Sequence, residues 1–157
     1  MLQPMFNASD DEWVVMIGRY ILNMGSLEFT TRMLIASVVG TDSEPVFDGP
    51  LASLISFLRA RFPQKDPIRH QWAMKAFDLA QKHTTFRNIV AHSPILITGH
   101  EDGSVRIQGI MNVTPKSHDT IAELVLFEEL KCRVDESANV AKLFLEMQAD
   151  FPTKRHD

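Results

Sequence analysis

Phe86-Arg87-Asn88-Ile89-Val90-Ala91-His92-Ser93-Pro94 is the stretch on which the reading of the fold turns. An α-helix rotates roughly 100° per residue. With Arg87 at zero, Phe86, Ile89 and Val90 project within roughly 100° of one another on one side. Arg87, Asn88, Ala91 and His92 occupy an arc of roughly 140° on the other. One face is apolar and suited to a core. The opposite face presents a guanidinium, an amide and an imidazole with a methyl-sized gap between them. Pro94 stops the helix, because Ser93 before it is biased away from helical geometry. His92 therefore falls in the last turn, where unpaired backbone carbonyls attract a cation.

The same register runs backwards for several turns. Trp72, Ala76, Leu79, Phe86 and Val90 form an apolar stripe with the spacing of a core-facing helix. Ala73, Phe77, Ala80, Thr84 and Ala91 form a second, mostly small stripe on the Arg87 side. Small residues let another helix approach closely. The second stripe is therefore either a helix–helix contact that includes Arg87, or the second buried side of a helix inside one bundle.

Upstream, Ser9-Asp10-Asp11-Glu12 has the form of a capping box. Trp13, Ile17, Tyr20, Met24, Leu27, Leu34 and Val38 then recur at spacings of three and four or their sums. The pattern predicts a helix of about thirty residues, roughly 45 Å long, stopping near Gly40. Gly18 and Gly25 share one face of it, either admitting a neighbouring helix or marking a bend. The bend is the cheaper explanation. Asn23 and Glu28 are expected to be solvated. Thr41 to Gly49 reads as a loop. A second helix follows from about Pro50 to Arg61, with Leu51, Leu54, Ile55 and Leu58 inward. Asp66-Pro67 supplies an N-cap and a first-turn proline for the helix that ends at His92.

After Pro94 the period changes from helical to alternating. Ile95 to Thr98 and Val105 to Met111 read as a β-hairpin around Asp102-Gly103, with Gly109 a candidate bulge. The insert spans about residues 95–113, and Thr120 to Val125 is a candidate third strand. A last helix runs from about Phe127 to Phe151, through Leu130, Val134, Ala138, Ala141, Phe144 and Met147. The Lys154-Arg155-His156-Asp157 tail is expected to fray. The fold class is mainly α: a four- to five-helix up-and-down bundle with a small β-hairpin inserted before the last helix.

A length of 157 residues suits a single domain over 1–157 with a real core. The hydrophobic fraction of 45% and charged fraction of 23% are those of an ordinary soluble protein. No apolar run has the length of a membrane span, and the first residues carry no basic segment followed by an apolar one. Cys132 is the only cysteine. An intrachain disulfide is thereby excluded, and a reducing, cytoplasmic location is expected. The formal charge of −4 argues against a general nucleic-acid binder. Any polyanion site must be a local basic pocket.

The sequence contains no Gly-rich phosphate loop, no Gly-x-Ser-x-Gly elbow and no His-Glu-x-x-His. His70, His83, His92, His100, His118 and His156 match no metal spacing, so neither metal nor cofactor is expected. Burial is the default expectation for Cys132.

What remains is Arg87-Asn88-Ile89-Val90-Ala91-His92. It resembles the motif of the HEPN superfamily (higher eukaryotes and prokaryotes nucleotide-binding domains): an Arg, often a polar residue next to it, and a His after four to six intervening residues, near the end of a helix in a four- or five-helix bundle. Arg87, Asn88 and His92 occupy those positions. The helix order resembles the family over roughly residues 10 to 151, but the sharp part is six residues. The resemblance implies a metal-independent endoribonuclease of toxin or defence type, in which two protomers pair so that two motifs face each other. Arg87, Asn88 and His92 would be its catalytic residues, and His83, Glu28 and Lys82 are candidates for substrate contacts. RNA or a nucleotide would be the ligand, a homodimer the working form, and an antitoxin or nucleotidyltransferase a possible cognate partner.

The chemistry suits these side chains. RNA carries its own nucleophile, the 2′-hydroxyl. Cleavage needs proton transfer, which an imidazole with an ordinary pKa near neutrality performs. It also needs stabilisation of phosphorane charge, which a guanidinium supplies. The small stripe beside Arg87 would suit the protomer contact. Structural roles stand beside these. His92 would only cap carbonyls, Arg87 would pair with Glu28 or Asp78, and His83 would be a packed core histidine. A non-catalytic nucleotide- or partner-binding member and a purely structural helical dimer are the other open readings.

Overall fold

Asp66 and Pro67 start the decisive helix as expected. The Asp66 carboxylate accepts hydrogen bonds from the backbone N–H groups of Ile68 (3.0 Å) and Arg69 (3.1 Å). The helix ends at His92, with Ser93 extended at φ −97° and ψ 143°. The computed structural model describes residues 10–40, 49–93, 95–99, 101–103, 105–112 and 123–151. Ser9 of the expected capping box, Pro94, the stretch 41–48, the expected strand onset at 120–122 and the 152–157 tail lie outside them. Four helices and three strands follow in order: α1 (Asp11–Val39), α2 (Leu51–Arg61), α3 (Pro67–His92), β1 (Ile95–Gly99), β2 (Val105–Asn112), β3 (Glu123–Val125) and α4 (Phe127–Ala149). The described chain is thus mainly helical, with a small antiparallel sheet before the last helix.

α1 is the axis of the molecule. It touches α2, α3 and α4, and α4 most extensively. Tyr20, Met24, Leu27, Leu34 and Ile35 project from one face and are buried, as the three–four spacing requires. α1 starts at Asp11 behind Asp10, whose side chain makes no capping hydrogen bond. Asn23 is not solvated as expected. Its Nδ2 donates to the Val134 carbonyl and to Ser137 Oγ, each at 3.0 Å, and so ties α1 to α4. An aromatic chain closes the far end of the core. Phe62 meets Phe77 and Phe151 edge-on, and Phe77 meets Phe144 in the same way.

α3 is buried on parts of both stripes, as the reading of a helix covered on two sides within one bundle has it, with two exceptions on the first stripe. Ala73, Ala76, Phe77, Ala80, His83 and Phe86 are its buried residues, whereas Trp72 is 38% and Leu79 39% exposed. Ala73, Phe77 and Ala80 of the small stripe therefore pack inside their own protomer, while Thr84 is half-buried and Ala91 exposed. The physical reason is that alanines let neighbouring helices approach α3 closely, while the larger Trp72 and Leu79 sit at the edge of that contact.

The sheet is a three-stranded meander in the order β1-β2-β3. Gly103, at φ 81°, makes the turn after Asp102. Leu96 faces Gly109 while Ile97 faces Ile107. Gln108 is thus the extra residue of a bulge, next to the expected glycine. A Cβ at Gly109 would lie 2.7 Å from the Val125 carbonyl oxygen and 2.8 Å from the Leu124 side chain. Glycine is what lets β3 approach. Ile107, Ile110 and Val125 turn inward from the sheet. Cys132, expected to be buried, is exposed on α4.

Candidate functional site

The last three turns of α3 separate two clefts. On one flank lies a groove of about 430 Å³, within the range of small-ligand sites. Thr84, Arg87 and Asn88 of α3 line it, together with Ile21, Met24, Gly25 and Glu28 of α1 and the Pro50-Leu51-Ala52 start of α2. On the other flank a cleft of about 310 Å³ is lined by Lys82, Thr85, Phe86 and Ile89 of α3, Val125 of β3, and Glu129 and Arg133 of α4.

Arg87 reaches the groove for a reason visible along α3. On the 100° projection it continues the arc of Ala73, Ala76, Ala80 and His83, all buried. Near the end of the helix the cover opens, and a position that would be core becomes a groove wall. Arg87 Nη1 donates to Asn88 Oδ1 at 3.4 Å, a long hydrogen bond between exposed side chains. Neither expected carboxylate partner takes it. Glu28 pairs with Arg32 at 2.6 Å, and Asp78 pairs with Arg59. Among the described residues no carboxylate forms an ion pair with Arg87. The Thr84 hydroxyl donates to the Gln81 carbonyl at 2.8 Å; the groove thus offers a guanidinium whose hydrogen bond is the long one to Asn88 and which has no ion-pair partner among the described residues.

His92 is exposed on the last turn, beyond the residues that line the groove. It stands one turn after Asn88, a rise of about 6 Å. The structure therefore brings Arg87 and Asn88 together in one groove and leaves His92 facing solvent past its end.

The three candidates for substrate contacts divide. Glu28 does line the groove, across from Arg87. Lys82 does not: it lines the cleft on the other flank, as its rotation of roughly 140° from Arg87 along the helix requires. His83 is 1% exposed and reaches neither opening. Tyr20 Oη lies 3.1 Å from the His83 carbonyl oxygen and 3.2 Å from Nδ1. Nε2 lies 3.7 Å from Glu136 Oε2, with no hydrogen-bond partner of its own. Burial lowers the His83 pKa, against the pull of Glu136, and Arg133 adds to the lowering. His83 is thus a neutral core histidine, the structural role weighed for it above.

Gly25 and the first residues of α2 are groove walls that the motif did not reveal. The repeated glycine on α1 was their one signal. No group of three or more His, Cys, Asp or Glu among the described residues is arranged to hold a metal ion. No described helix is long and apolar enough to cross a membrane.

No protein-family model, curated protein or solved structure matches the chain.

Proposed function

We propose that this chain is a HEPN-like, metal-independent endoribonuclease of toxin or defence type. The observation that supports it is Arg87: a guanidinium at the end of a buried stripe, without a carboxylate partner among the described residues, opening into a groove beside Asn88. A phosphate oxygen is the ligand such a fork accepts. In the reaction, the ribose 2′-oxygen attacks the adjacent phosphorus and the 5′-oxygen of the next nucleotide leaves. One proton passes from the 2′-hydroxyl to a base, and one passes from an acid to the departing oxygen. The products are a 2′,3′-cyclic phosphate and a 5′-hydroxyl. His92 carries a proton, Arg87 holds the phosphorane oxygens, and Asn88 orients the phosphate or the ring. One imidazole does not serve both proton transfers easily in a single step, so a second copy supplies the other His92.

The test is an RNA digest in chelator, with the product ends identified by mass. Cyclic-phosphate ends, lost when the substrate carries 2′-O-methyl ribose, support the reading. Cleavage of the 2′-O-methyl substrate, or cleavage that needs added metal, overturns it.

A second reading is a non-catalytic nucleotide-binding or partner-binding protein, such as a component paired with an antitoxin or a nucleotidyltransferase. It is favoured by the position of His92 outside the groove lining and of Glu28 within it. The formal charge of −4 agrees with it. Expression separates the two. A toxic ribonuclease arrests growth and its His92→Ala variant does not; a binding protein leaves growth unchanged in both forms.

A further inference from the structure

We propose that the outward face of α1 is the interface between two copies of this chain, packed antiparallel, with Leu22 and Phe29 of each copy seated on Gly25 and Gly18 of the other. The proposal stands on α1 alone and does not need the ribonuclease reading.

α1 carries two apolar seams. The inner one is the buried core face. Opposite it, Val15, Gly18, Leu22, Gly25 and Phe29 recur at alternating steps of three and four. On the 100° projection they fall within an arc of roughly 80°. Leu22 is 73% and Phe29 64% exposed. A helix face that meets only water is ordinarily polar. This one is apolar, and it contains two glycines that each cost about 1 kcal/mol relative to alanine.

No packing contact among the described residues calls for those glycines, although Gly25 also borders the Arg87 groove. A Cβ at Gly18 or Gly25 would meet no atom within 4 Å. Neither residue has the positive φ seen at Gly40 and Gly103. They are hollows in an otherwise knobbed surface.

The hollows and knobs match each other about one point. Around a twofold axis a residue and its opposite number exchange roles. Setting Leu22 opposite Gly25 places the axis between Asn23 and Met24. With no further choice, Phe29 then falls opposite Gly18; on the flanks, each kept on its own side by the axis, Val15 comes within one residue of the level of Met33, and Val14 within one residue of the level of Arg32. The two most exposed apolar side chains of the helix thus meet its two bare positions. This self-match favours a second copy over an unrelated partner.

The exposed apolar side chains supply more than half of the area that a standard interface takes. At roughly 150–200 Å² for a large apolar side chain, the exposed parts of Val14, Val15, Leu22, Phe29 and Met33 leave about 500 Å² per copy. A standard interface takes about 800 Å² from each partner. Gly18, Gly25, Arg19 and Ser26, all exposed, border those side chains and add to the area.

The arrangement has a consequence for the groove. A twofold axis normal to the plane of two antiparallel helices keeps the same flank of each copy on one side. Ile21, Gly25 and Glu28 lie on the groove flank of α1. Both Arg87 grooves therefore open on the same side of the helix pair, adjoining across the axis.

Sedimentation and light scattering of the full chain test the proposal. The expected result is a dimer at about 10 μM. Gly25→Leu fills a hollow that is open in the protomer. It should raise the dissociation constant tenfold or more while leaving the thermal midpoint at least as high, because a helical glycine is replaced. The register is tested by cross-linking in a Cys132→Ser background, which removes the exposed native thiol. An equimolar mixture of Gly18→Cys chains and Phe29→Cys chains should form a covalent heterodimer under mild oxidant. Each variant alone should not, since like positions lie roughly 16 Å apart along the axis, too far for a disulfide. A wild-type monomer at about 100 μM, a dimer indifferent to Gly25→Leu, or absence of the mixed cross-link would each overturn the proposal. A monomer would assign the face to a different partner. None of these outcomes depends on whether the protein cleaves RNA.

Discussion

Tyr20 on α1 and His83 on α3 hold the two helices together from inside the core, the phenol oxygen lying 3.2 Å from the imidazole Nδ1 and 3.1 Å from the His83 carbonyl oxygen. Burial pushes the Tyr20 pKa well above that of a free phenol, so it remains a donor at all ordinary pH. Tyr20→Phe keeps the ring and its edge contact with Phe86 but leaves His83 short of a partner in the core. We expect a loss of about 1–3 kcal/mol, read as a lower denaturant midpoint with an unchanged slope. An unaltered midpoint would mean that the hydroxyl contributes nothing.

His83 also gives stability a pH dependence whose sign can be worked out. Its folded-state pKa lies below the ordinary 6.5. Above that ordinary value both folded and unfolded chains hold the imidazole neutral, and this group has no effect. As pH falls below it, the unfolded chain takes up a proton that the folded chain resists, so stability declines towards the folded pKa. His83→Leu removes this part of the decline. Denaturant midpoints measured between pH 7 and pH 5 should fall less steeply for the variant than for the wild type. Parallel curves would contradict the assignment of His83 as a neutral buried group.

Gly109→Ala tests the attachment of β3. The added methyl would stand 2.7 Å from a backbone carbonyl that has no flexible end to move. The expected cost is about 1–3 kcal/mol, with amide exchange rising first in β3. An alanine variant as stable as the wild type would show that the strands shift apart without penalty.

Much of this architecture is legible in the residues, and the failures have physical causes. The inner seam of α1 is readable because large apolar side chains repeat at helical spacing, with Thr30 and Thr31 the one polar break between Leu27 and Leu34. The hairpin is readable because the period changes after Pro94 and Asp102-Gly103 supplies a turn. On α3 the stripe through Trp72 and Leu79 is not the best-buried one, because half of the core positions of this helix are alanine. Alanine gives little apolar contrast along the sequence, and what buries it is the close approach of neighbours that only the fold supplies. Asn23 looked solvated because its acceptors, Val134 and Ser137, are more than a hundred positions away. The adjacency of Arg87 and Asn88 follows from helix geometry. The groove before them does not, since Gly25 and Pro50 come from other elements.

Arg87→Ala should leave the fold intact, because the side chain is exposed and has no ion-pair partner among the described residues. Binding of a short RNA or a nucleotide should weaken by about tenfold or more, the loss of one charge-assisted contact. Arg87→Lys should recover part of it, because a lysine keeps the charge but not the two-pronged geometry. Unchanged binding by Arg87→Ala, measured by calorimetry, would remove the groove from the account.

Cleavage of a single-stranded RNA in excess chelator, by wild type and by a folded His92→Ala variant side by side, tests the proposed ribonuclease most directly. The account predicts cleavage by the wild type and a loss of about a hundredfold or more in the variant, the usual contribution of a general acid or base. Equal rates for the two proteins, or no cleavage by either, would contradict it.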